Sequence, residues 1–240
     1  MTHVIDESAV APIREEGDTA ETRVVFDASN GCARLEQRVV RFGPGRSLRR
    51  RLEGRQEVLY VVSGEGTLEL DGRRHELAPG TAAYLVSGET YAVDNPADEP
   101  VTVVSVITPQ ERPPAGSRRV TVRLDEREEL VADANRSFRY LVHEDIGCLD
   151  VTQFLGIVRP CRAPDHSHPY DEVGYIVEGT GFAHVGGNST PIGPGSCFHL
   201  PPEEVHCIEN TGPGAMRILG VFFPSGSPKQ RSYEEAGAGN

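Results

Sequence analysis

The residues most able to do chemistry lie in one stretch of the chain, between residues 160 and 210. His166 and His168 are separated by one residue, Glu172 follows shortly after them, and His206 lies further along. Side chains alternate faces along a β-strand, so His166 and His168 are expected to point the same way. Imidazole and carboxylate together suit a divalent transition metal, with Mn, Fe, Ni, Cu and Zn all open. The spacing therefore predicts one metal ion held by His166, His168, Glu172 and His206.

These ligands sit within two linked motifs. Besides the ligands, the residues that carry the motifs are Gly179, Gly195, Pro201 and Asn210. The pattern resembles the cupin family, with Pro160 and Glu203 in two places where that family has glycine. Neither is a ligand position, so the two departures concern the shape of a turn and not the site.

The resemblance implies an all-β fold built as a jelly-roll β-barrel. Four protein ligands on an octahedral ion leave two positions for water or substrate. The mononuclear metalloenzymes of this family include dioxygenases, decarboxylases and isomerases, and other members only bind ligands. The resemblance thus leaves an enzyme and a binding module both open, because a fold does not settle a function.

An internal repeat extends the pattern over most of the chain. The segment from Arg23 lies over the segment from Arg139, which places Gly31-Cys32 on Gly147-Cys148. Further on, Glu57 corresponds to Glu172. A repeat this long indicates duplicated domains rather than a solenoid. The fold class predicted is two tandem cupin β-barrels, a bicupin.

This organisation predicts five segments. Residues 1–21 are expected to form a flexible arm, 22–110 the first barrel, and 111–136 a linker. Within the linker, RVTVRL from Arg119 suggests an edge strand and DEREELVAD from Asp125 a short helix. Residues 137–226 are expected to form the second barrel and 227–240 a flexible tail.

The first copy retains Glu57 but has Arg51, Glu53 and Tyr91 where the second copy has its three histidines. A guanidinium group stays protonated and repels a cation. The first barrel is therefore predicted to be degenerate, without a metal site, and the metal is assigned to the second barrel.

Composition narrows the partners. The 240 residues carry 36 acidic and 24 basic side chains, for a formal charge of −12. That balance disfavours nucleic acid or an anionic membrane as a partner. The sequence shows no apolar run long enough to span a membrane and no signal-peptide pattern near Met1, so a cytoplasmic location is expected. Five scattered cysteines do not indicate a disulfide framework.

No catalytic base is evident from the sequence. Candidates near the site are Gln153, Tyr170 and His199, with Thr152 and Asp171 beside them. The strand after Glu172 predicts a pocket formed by Gly174, Gln153 and Ile176, in which Gly174 leaves room for substrate. We expect a metalloenzyme, preferably dioxygenase-like, that acts on a small oxygenated organic molecule. A monomer with paired barrels or a homodimer is expected.

Overall fold

The computed structural model describes residues 3–230 and 232–233, and these residues form an all-β protein. Within those ranges there is no α-helix, only short 3₁₀ turns at Glu7–Ala9, Ala28–Asn30, Leu124–Glu126 and Glu144–Ile146. No helix in this part of the chain is long and apolar enough to cross a bilayer. All five cysteines are free thiols.

The strands fall into two barrels and the segments that join them. The strands before and between the barrels are β1 (Val4–Asp6), β2 (Ile13–Arg14), β13 (Thr121–Arg123) and β14 (Leu130–Val131). The strands of the first barrel are β3 (Ala20–Phe26), β4 (Glu36–Phe42), β5 (Gly45–Arg46), β6 (Arg50–Arg51), β7 (Arg55–Ser63), β8 (Gly66–Leu70), β9 (Arg73–Leu77), β10 (Thr81–Leu85), β11 (Thr90–Asn95) and β12 (Val101–Pro109). The strands of the second barrel are β15 (Arg136–Val142), β16 (Thr152–Val158), β17 (Cys161–Arg162), β18 (His166–Ser167), β19 (Asp171–Glu178), β20 (Gly181–Val185), β21 (Asn188–Ile192), β22 (Ser196–Leu200), β23 (His206–Asn210), β24 (Met216–Phe223) and β25 (Ser232–Tyr233).

Each barrel consists of two antiparallel sheets. In the first barrel the larger sheet has the order β13-β10-β7-β12-β4-β3-β2, and the smaller one is β5-β11-β8-β9 with β6 beside β11. The second barrel repeats this plan, with β1-β22-β19-β24-β16-β15-β14 as the larger sheet and β21-β20-β23-β18-β25 as the smaller. The larger sheets match strand for strand, as the internal repeat requires. In the smaller sheets β17 pairs with β23 as β5 pairs with β11, and β25 has no counterpart among the described strands of the first barrel.

The arm that was predicted to be flexible is part of this architecture. Strand β1 pairs with β22 of the second barrel, and β2 then pairs with β3 of the first. In the same way β13 pairs with β10 of the first barrel and β14 with β15 of the second. Each copy therefore extends a strand onto the barrel of the other copy. The expectation of a loose arm is wrong for residues 3–21, because these backbone groups complete a sheet edge. Residues 1 and 2 lie outside the described residues.

The short helix expected from Asp125 does not form. The chain makes one 3₁₀ turn at Leu124–Glu126 and then enters β14. A helix of this length is marginal in water without tertiary support. Here the tertiary contacts favour an extended chain, since Arg127 Nε donates to Tyr140 O at 2.6 Å and Leu130 pairs with Phe138.

A continuous apolar cluster fills the space between the barrels. Members from the first barrel include Val25, Val39 and Val104, and members from the second include Leu155, Val173 and Leu219. Gln37 Nε2 reaches across to donate to Gly174 O at 3.0 Å. The two larger sheets are thus packed face to face, with the smaller sheets on the outside.

The predicted flexible tail also has structure in its described part. Tyr170 Oη lies 2.6 Å from Ser227 O and 3.0 Å from Gln230 O, and its proton is shared between these carbonyls. Strand β25 pairs with β18, next to His166. The chain after the second barrel therefore folds back over that barrel's smaller sheet. Residues 231 and 234–240 of the predicted tail lie outside the described residues.

Candidate metal centre

The four predicted metal ligands come together inside the second barrel. Strand β18 begins at His166, β19 carries Glu172 at its second position, and β23 begins at His206. His166 and His206 are direct partners in the antiparallel pair β18–β23. His168 follows β18 in the turn that leads to β19. All four side chains are buried.

Each imidazole is oriented by a backbone carbonyl two residues away in the chain. The Nδ1 atoms of His166, His168 and His206 donate to Pro164 O at 2.9 Å, Tyr170 O at 2.9 Å and Glu204 O at 2.8 Å. A carbonyl oxygen only accepts, so Nδ1 carries a proton, and in a neutral ring Nε2 then keeps its lone pair. Such a contact fixes both the tautomer and the orientation of a metal-binding histidine. The three rings thus share one arrangement that presents Nε2 as the donor atom.

Three of the four predicted ligands have donor atoms close enough together for one cation. Ligand atoms of His168, Glu172 and His206 all lie within 4.8 Å of one another. His166 falls outside this group, but its ring lies beside that of His206, with ring centroids 4.5 Å apart. His168 Nε2 lies 2.8 Å from Glu172 Oε2. Two lone pairs at that distance repel unless a proton or a cation lies between them. The residues present therefore fit a divalent transition metal.

The electrostatics of His168 agree with this geometry. Burial by itself lowers the pKa of His168, but the hydrogen bond to Glu172 and the charge of that carboxylate outweigh burial. The net shift of the His168 pKa is upward. The pair therefore favours positive charge next to Glu172, whether it comes from a proton or from a metal ion.

The turn before His206 keeps its shape despite the departure at Glu203. Glu203 has φ +63°, in the left-handed region, and its counterpart in the first copy, Gly88, has φ +85°. A residue with a side chain costs about 1–2 kcal/mol in that region. The Glu203 N–H donates to His168 O at 2.9 Å. The strained turn thus connects the segment carrying His206 to the segment carrying His168.

A cavity of about 90 Å³ lies beside the ligands. Its wall is mainly aromatic and aliphatic, from Phe138, Phe154, Phe198, Leu200, Ile208, Ile218 and Phe222. Pro228 and Gln230 of the returning chain close one side. Arg136 also lines the cavity, is 8% exposed, and has its Nε 2.6 Å from Asp133 Oδ2. The space fits a small molecule, with one buried cation at its edge.

Tyr170 lies at the predicted site, but in a different role. It lines the cavity, stacks on His168 with ring centroids 4.6 Å apart, and contacts Phe222 at 4.3 Å. Its hydroxyl is committed to the carbonyls of Ser227 and Gln230. Tyr170 therefore holds the returning chain against the cavity.

Gln153 and His199 face away from the cavity, so their candidacy as catalytic or pocket residues is corrected. On β16, Phe154 lines the cavity, whereas Gln153 lies on the other face, paired with Val221 of the inter-barrel cluster. On β22, His199 points toward the first barrel, where its ring lies 5.8 Å from that of Phe26. Alternation separates the two faces of a strand, but it does not say which face is inside the barrel.

Gly174 and Ile176 also differ from the predicted pocket. A Cβ at Gly174 would lie 2.0 Å from the ring of Phe198, so this glycine accommodates Phe198 and not a substrate. Ile176 is fully buried and packs in the apolar core of the barrel, beside rather than on the cavity wall. The internal repeat could have revealed this packing. A small residue and a large one are exchanged between the copies, since Gly174 and Phe198 correspond to Leu59 and Ala83.

Several wall residues were missed by sequence reasoning. Arg136 was assigned to the linker, and Pro228 and Gln230 to a flexible tail. Phe198 and Phe222 carried no motif of their own. Each reaches the cavity through strand pairing or chain return, which local pattern does not reveal.

Comparison with known proteins agrees with the architecture. A family model described as a cupin domain matches twice, over residues 38–107 and 158–222, together more than half of the sequence. The chain belongs to the cupin family. No curated protein matches its sequence.

Solved structures with the same two-barrel arrangement share little sequence with this cupin. Protein Ylba from E. coli superposes with a TM-score of 0.76 at 17% identity, covering 93% of this chain and 91% of that one. A putative glyoxylate-induced protein from Pseudomonas aeruginosa gives 0.79 at 19% identity, covering 93% and 90%. A variant of Bacillus subtilis oxalate decarboxylase gives 0.76 at 15% identity, covering 97% and 79%. At these identities the likeness shows the fold alone.

Proposed function

We propose that the second barrel is a mononuclear metal centre that acts on a small oxygenated organic molecule, with a carboxylate as its preferred group. The observation that carries this is the shared orientation of the three imidazoles. Each Nδ1 is held by a backbone carbonyl, and each Nε2 is presented, with Glu172, beside one small cavity. Packing alone does not require three histidines with the same tautomer.

The residues of the chain prepare this cavity in three ways. The carbonyl contacts hold the imidazoles in place, the aromatic wall excludes bulk water, and Arg136 offers a positive charge to an anionic substrate. When bound, a divalent ion would supply Lewis-acid polarisation of a substrate oxygen and, if redox-active, access to dioxygen chemistry. A dioxygenase, a decarboxylase and an isomerase all use this kind of site. The glyoxylate-induced protein and the oxalate decarboxylase among the structural neighbours support a small organic acid as substrate.

The alternative is a binding module that captures the same ligand without turnover. It is favoured by one observation: Tyr170 is tied to Ser227 and Gln230, and Gln153 and His199 face away. Among the described residues, the ionisable groups on the cavity wall are then the four ligands, Tyr170 and Arg136. None of these is an uncommitted general base.

The deciding experiment combines metal analysis with turnover. Purified protein should contain about one divalent transition ion in this barrel and should transform at least one member of a panel of small dicarboxylic, 2-oxo and diketone compounds, followed by product analysis and dioxygen uptake. His168→Ala, the matched control, should lose turnover and about one metal ion per chain relative to the wild type. Metal-dependent binding of a panel compound without product would favour the binding module. Wild-type protein that takes up no metal would refute both.

We further propose that the chain acts as a monomer, since each copy already covers a sheet edge of the other through β1 and β13. Light scattering should give the mass of one chain. A stable dimer would mean that another edge or face is paired in solution.

A further inference from the structure

A second group of ligand-type side chains lies between the barrels, outside the cavity. Cys32 belongs to the first barrel, and Asp171 and His199 lie on β19 and β22 of the second. One ligand atom from each lies within 4.8 Å of the other two. His199 Nε2 is 2.6 Å from Asp171 Oδ1. Cys32 and His199 are almost completely buried, at 1% and 2% exposure.

The pseudo-symmetry of the chain provides an internal comparison for this trio. At the equivalent place on the other side of the interface stand Cys148, Gln56 and Tyr84. Tyr84 Oη donates to Gln56 Oε1 at 3.0 Å, and Cys148 Sγ lies 3.9 Å from the same oxygen. Packing at this point of the fold is thus satisfied by an amide, a phenol and a thiol. In the first trio the amide and the phenol are replaced by a carboxylate and an imidazole.

We propose that Cys32, Asp171 and His199 form a second cation site, of the zinc type, that links the two barrels. A thiolate, a carboxylate and an imidazole are ligands that zinc accepts together, with a further position for water. The short His199–Asp171 contact parallels the His168–Glu172 contact of the first site, 2.6 Å against 2.8 Å. In both, a cation can replace the proton shared by an imidazole and a carboxylate.

A surface cavity reaches Cys32, although neither Asp171 nor His199 lines it. A cavity of about 320 Å³ is lined by Cys32 together with the exposed Ala28 and Arg34. The positive charge of Arg34 at this cavity is already paired. Its guanidinium lies 4.3 Å from the centroid of the Phe223 ring and forms an ion pair with Glu111. Burial, with the charge of Asp171 as the next cause, raises the pKa of Cys32 to about 12. Binding should therefore displace a proton from the thiol.

The proposed site between the barrels would be coupled to the metal centre of the second barrel, because the two sites share strands β19 and β22. Asp171 precedes Glu172 on β19, and His199 lies between the cavity residues Phe198 and Leu200 on β22. A cation on the outer face of these strands would hold them against the first barrel. The inference does not depend on the proposed function, since none of its three residues lines the cavity.

Cobalt(II) gives a direct test, because a cobalt–thiolate bond adds a charge-transfer band in the near ultraviolet that imidazole and carboxylate ligands do not. The full-length His168→Ala variant, with its first site disabled, should bind about one cobalt ion and show the band. Adding Cys32→Ser should abolish the band. Adding Cys148→Ser, which changes the equally buried equivalent cysteine, should leave it unchanged.

A second variant guards against misfolding. The double variant Asp171→Gln/His199→Tyr copies Gln56 and Tyr84, the equivalent residues of the first barrel. Circular dichroism should show that it remains folded, and the cobalt–thiolate band should be lost. The proposal is overturned if His168→Ala shows no band in excess cobalt, or if the band survives Cys32→Ser. It is equally overturned if the folded Gln/Tyr variant keeps the band.

Discussion

Glu57 of the first barrel and Glu172 of the second occupy equivalent places in equivalent strands, β7 and β19, yet they have different hydrogen-bond partners. Glu57 accepts from Tyr91 Oη at 2.9 Å and from Ser105 Oγ. The residues that correspond to Tyr91 and Ser105 in the second copy are His206 and Gly220. A Cβ at Gly220 would lie 3.1 Å from Glu172 Oε1. One barrel therefore surrounds its carboxylate with hydroxyl donors, and the other leaves it for imidazoles.

The remaining two positions differ in where the side chains lie. His166 and His168 are buried in the second barrel. Their counterparts Arg51 and Glu53 are exposed and pair with each other, Nε to Oε1, at 2.6 Å. The comparison teaches that one scaffold supports a buried carboxylate held either by hydroxyl donors or among imidazoles, and that a few side chains decide which.

The largest expected effect comes from giving the second barrel the partner that the first one has. His206→Tyr should place a phenol against Glu172, as Tyr91 lies against Glu57. Loss of a group that hydrogen-bonds to a metal ligand costs about 10–100-fold in metal affinity, so loss of a ligand such as His206 should cost at least about 100-fold. Elemental analysis after dialysis against limiting metal measures it.

Circular dichroism should show that His206→Tyr remains folded, because the same tyrosine is accommodated at the equivalent position. The reciprocal Tyr91→His is the control and should not change the metal content of the second barrel. A metal content of His206→Tyr equal to that of the wild type would refute the assignment of His206 as a ligand.

A second comparison concerns how the barrels fill their interior. Gly174 lies opposite Phe198, whereas the first copy has Leu59 opposite Ala83. Gly174→Leu alone should destabilise the protein by about 3 kcal/mol, at the upper end of overpacking costs, because Phe198 already occupies the space. Adding Phe198→Ala should recover about 2 kcal/mol, since the pair then copies the first barrel.

Urea unfolding of the single and double variants measures this coupling, and Phe198→Ala alone completes the cycle. Simple additivity of the two changes would contradict the pairing of Gly174 with Phe198. It would return Gly174 to the role of a pocket residue.

These differences mark where sequence reasoning was sufficient and where it was not. The cluster of His166, His168 and His206 could be predicted because the spacing of these residues is local and their type is chemically specific. The direction of Gly174 was predicted from alternation, but its neighbour Phe198 lies on another strand, and pairing across strands is not a local property. The structured arm was missed for the same reason: β1 is stabilised by β22, which is far away in sequence.

A third prediction concerns the effect of Glu57 on the pH dependence of stability. Burial is the main cause of a raised pKa at Glu57, and the hydrogen bonds from Ser105 and Tyr91 only partly oppose it. Above the ordinary value of 4.5 the folded protein then holds a proton that the unfolded chain releases. Stability should therefore fall as pH rises from that value toward the raised pKa, by at most about 1.4 kcal/mol per pH unit.

Glu57→Gln replaces the titrating carboxyl group with a neutral amide. The fall in stability with rising pH that Glu57 causes should therefore disappear. Urea midpoints measured between about pH 4 and pH 8 should show the variant gaining on the wild type as pH rises. The expected sign is wrong if the advantage of the variant grows toward low pH. The control is Glu53→Gln, which makes the same change at an exposed site and should leave the pH dependence unchanged.

The smallest effect is expected at Arg51 and Glu53, although they stand where the second barrel has two of its ligands. Their side chains are 55% and 69% exposed, so water already solvates both charges. Exposed ion pairs contribute about 0–1 kcal/mol, and Arg51→Ala or Glu53→Ala should each change stability by less than about 0.5 kcal/mol. Metal content should stay at the wild-type value in both variants, whereas His166→Ala and His168→Ala in the same assay should each lose about one ion per chain. A fall in metal content with Glu53→Ala would show that the first barrel contributes a ligand after all, and the contrast between the two barrels would then be one of affinity and not of kind.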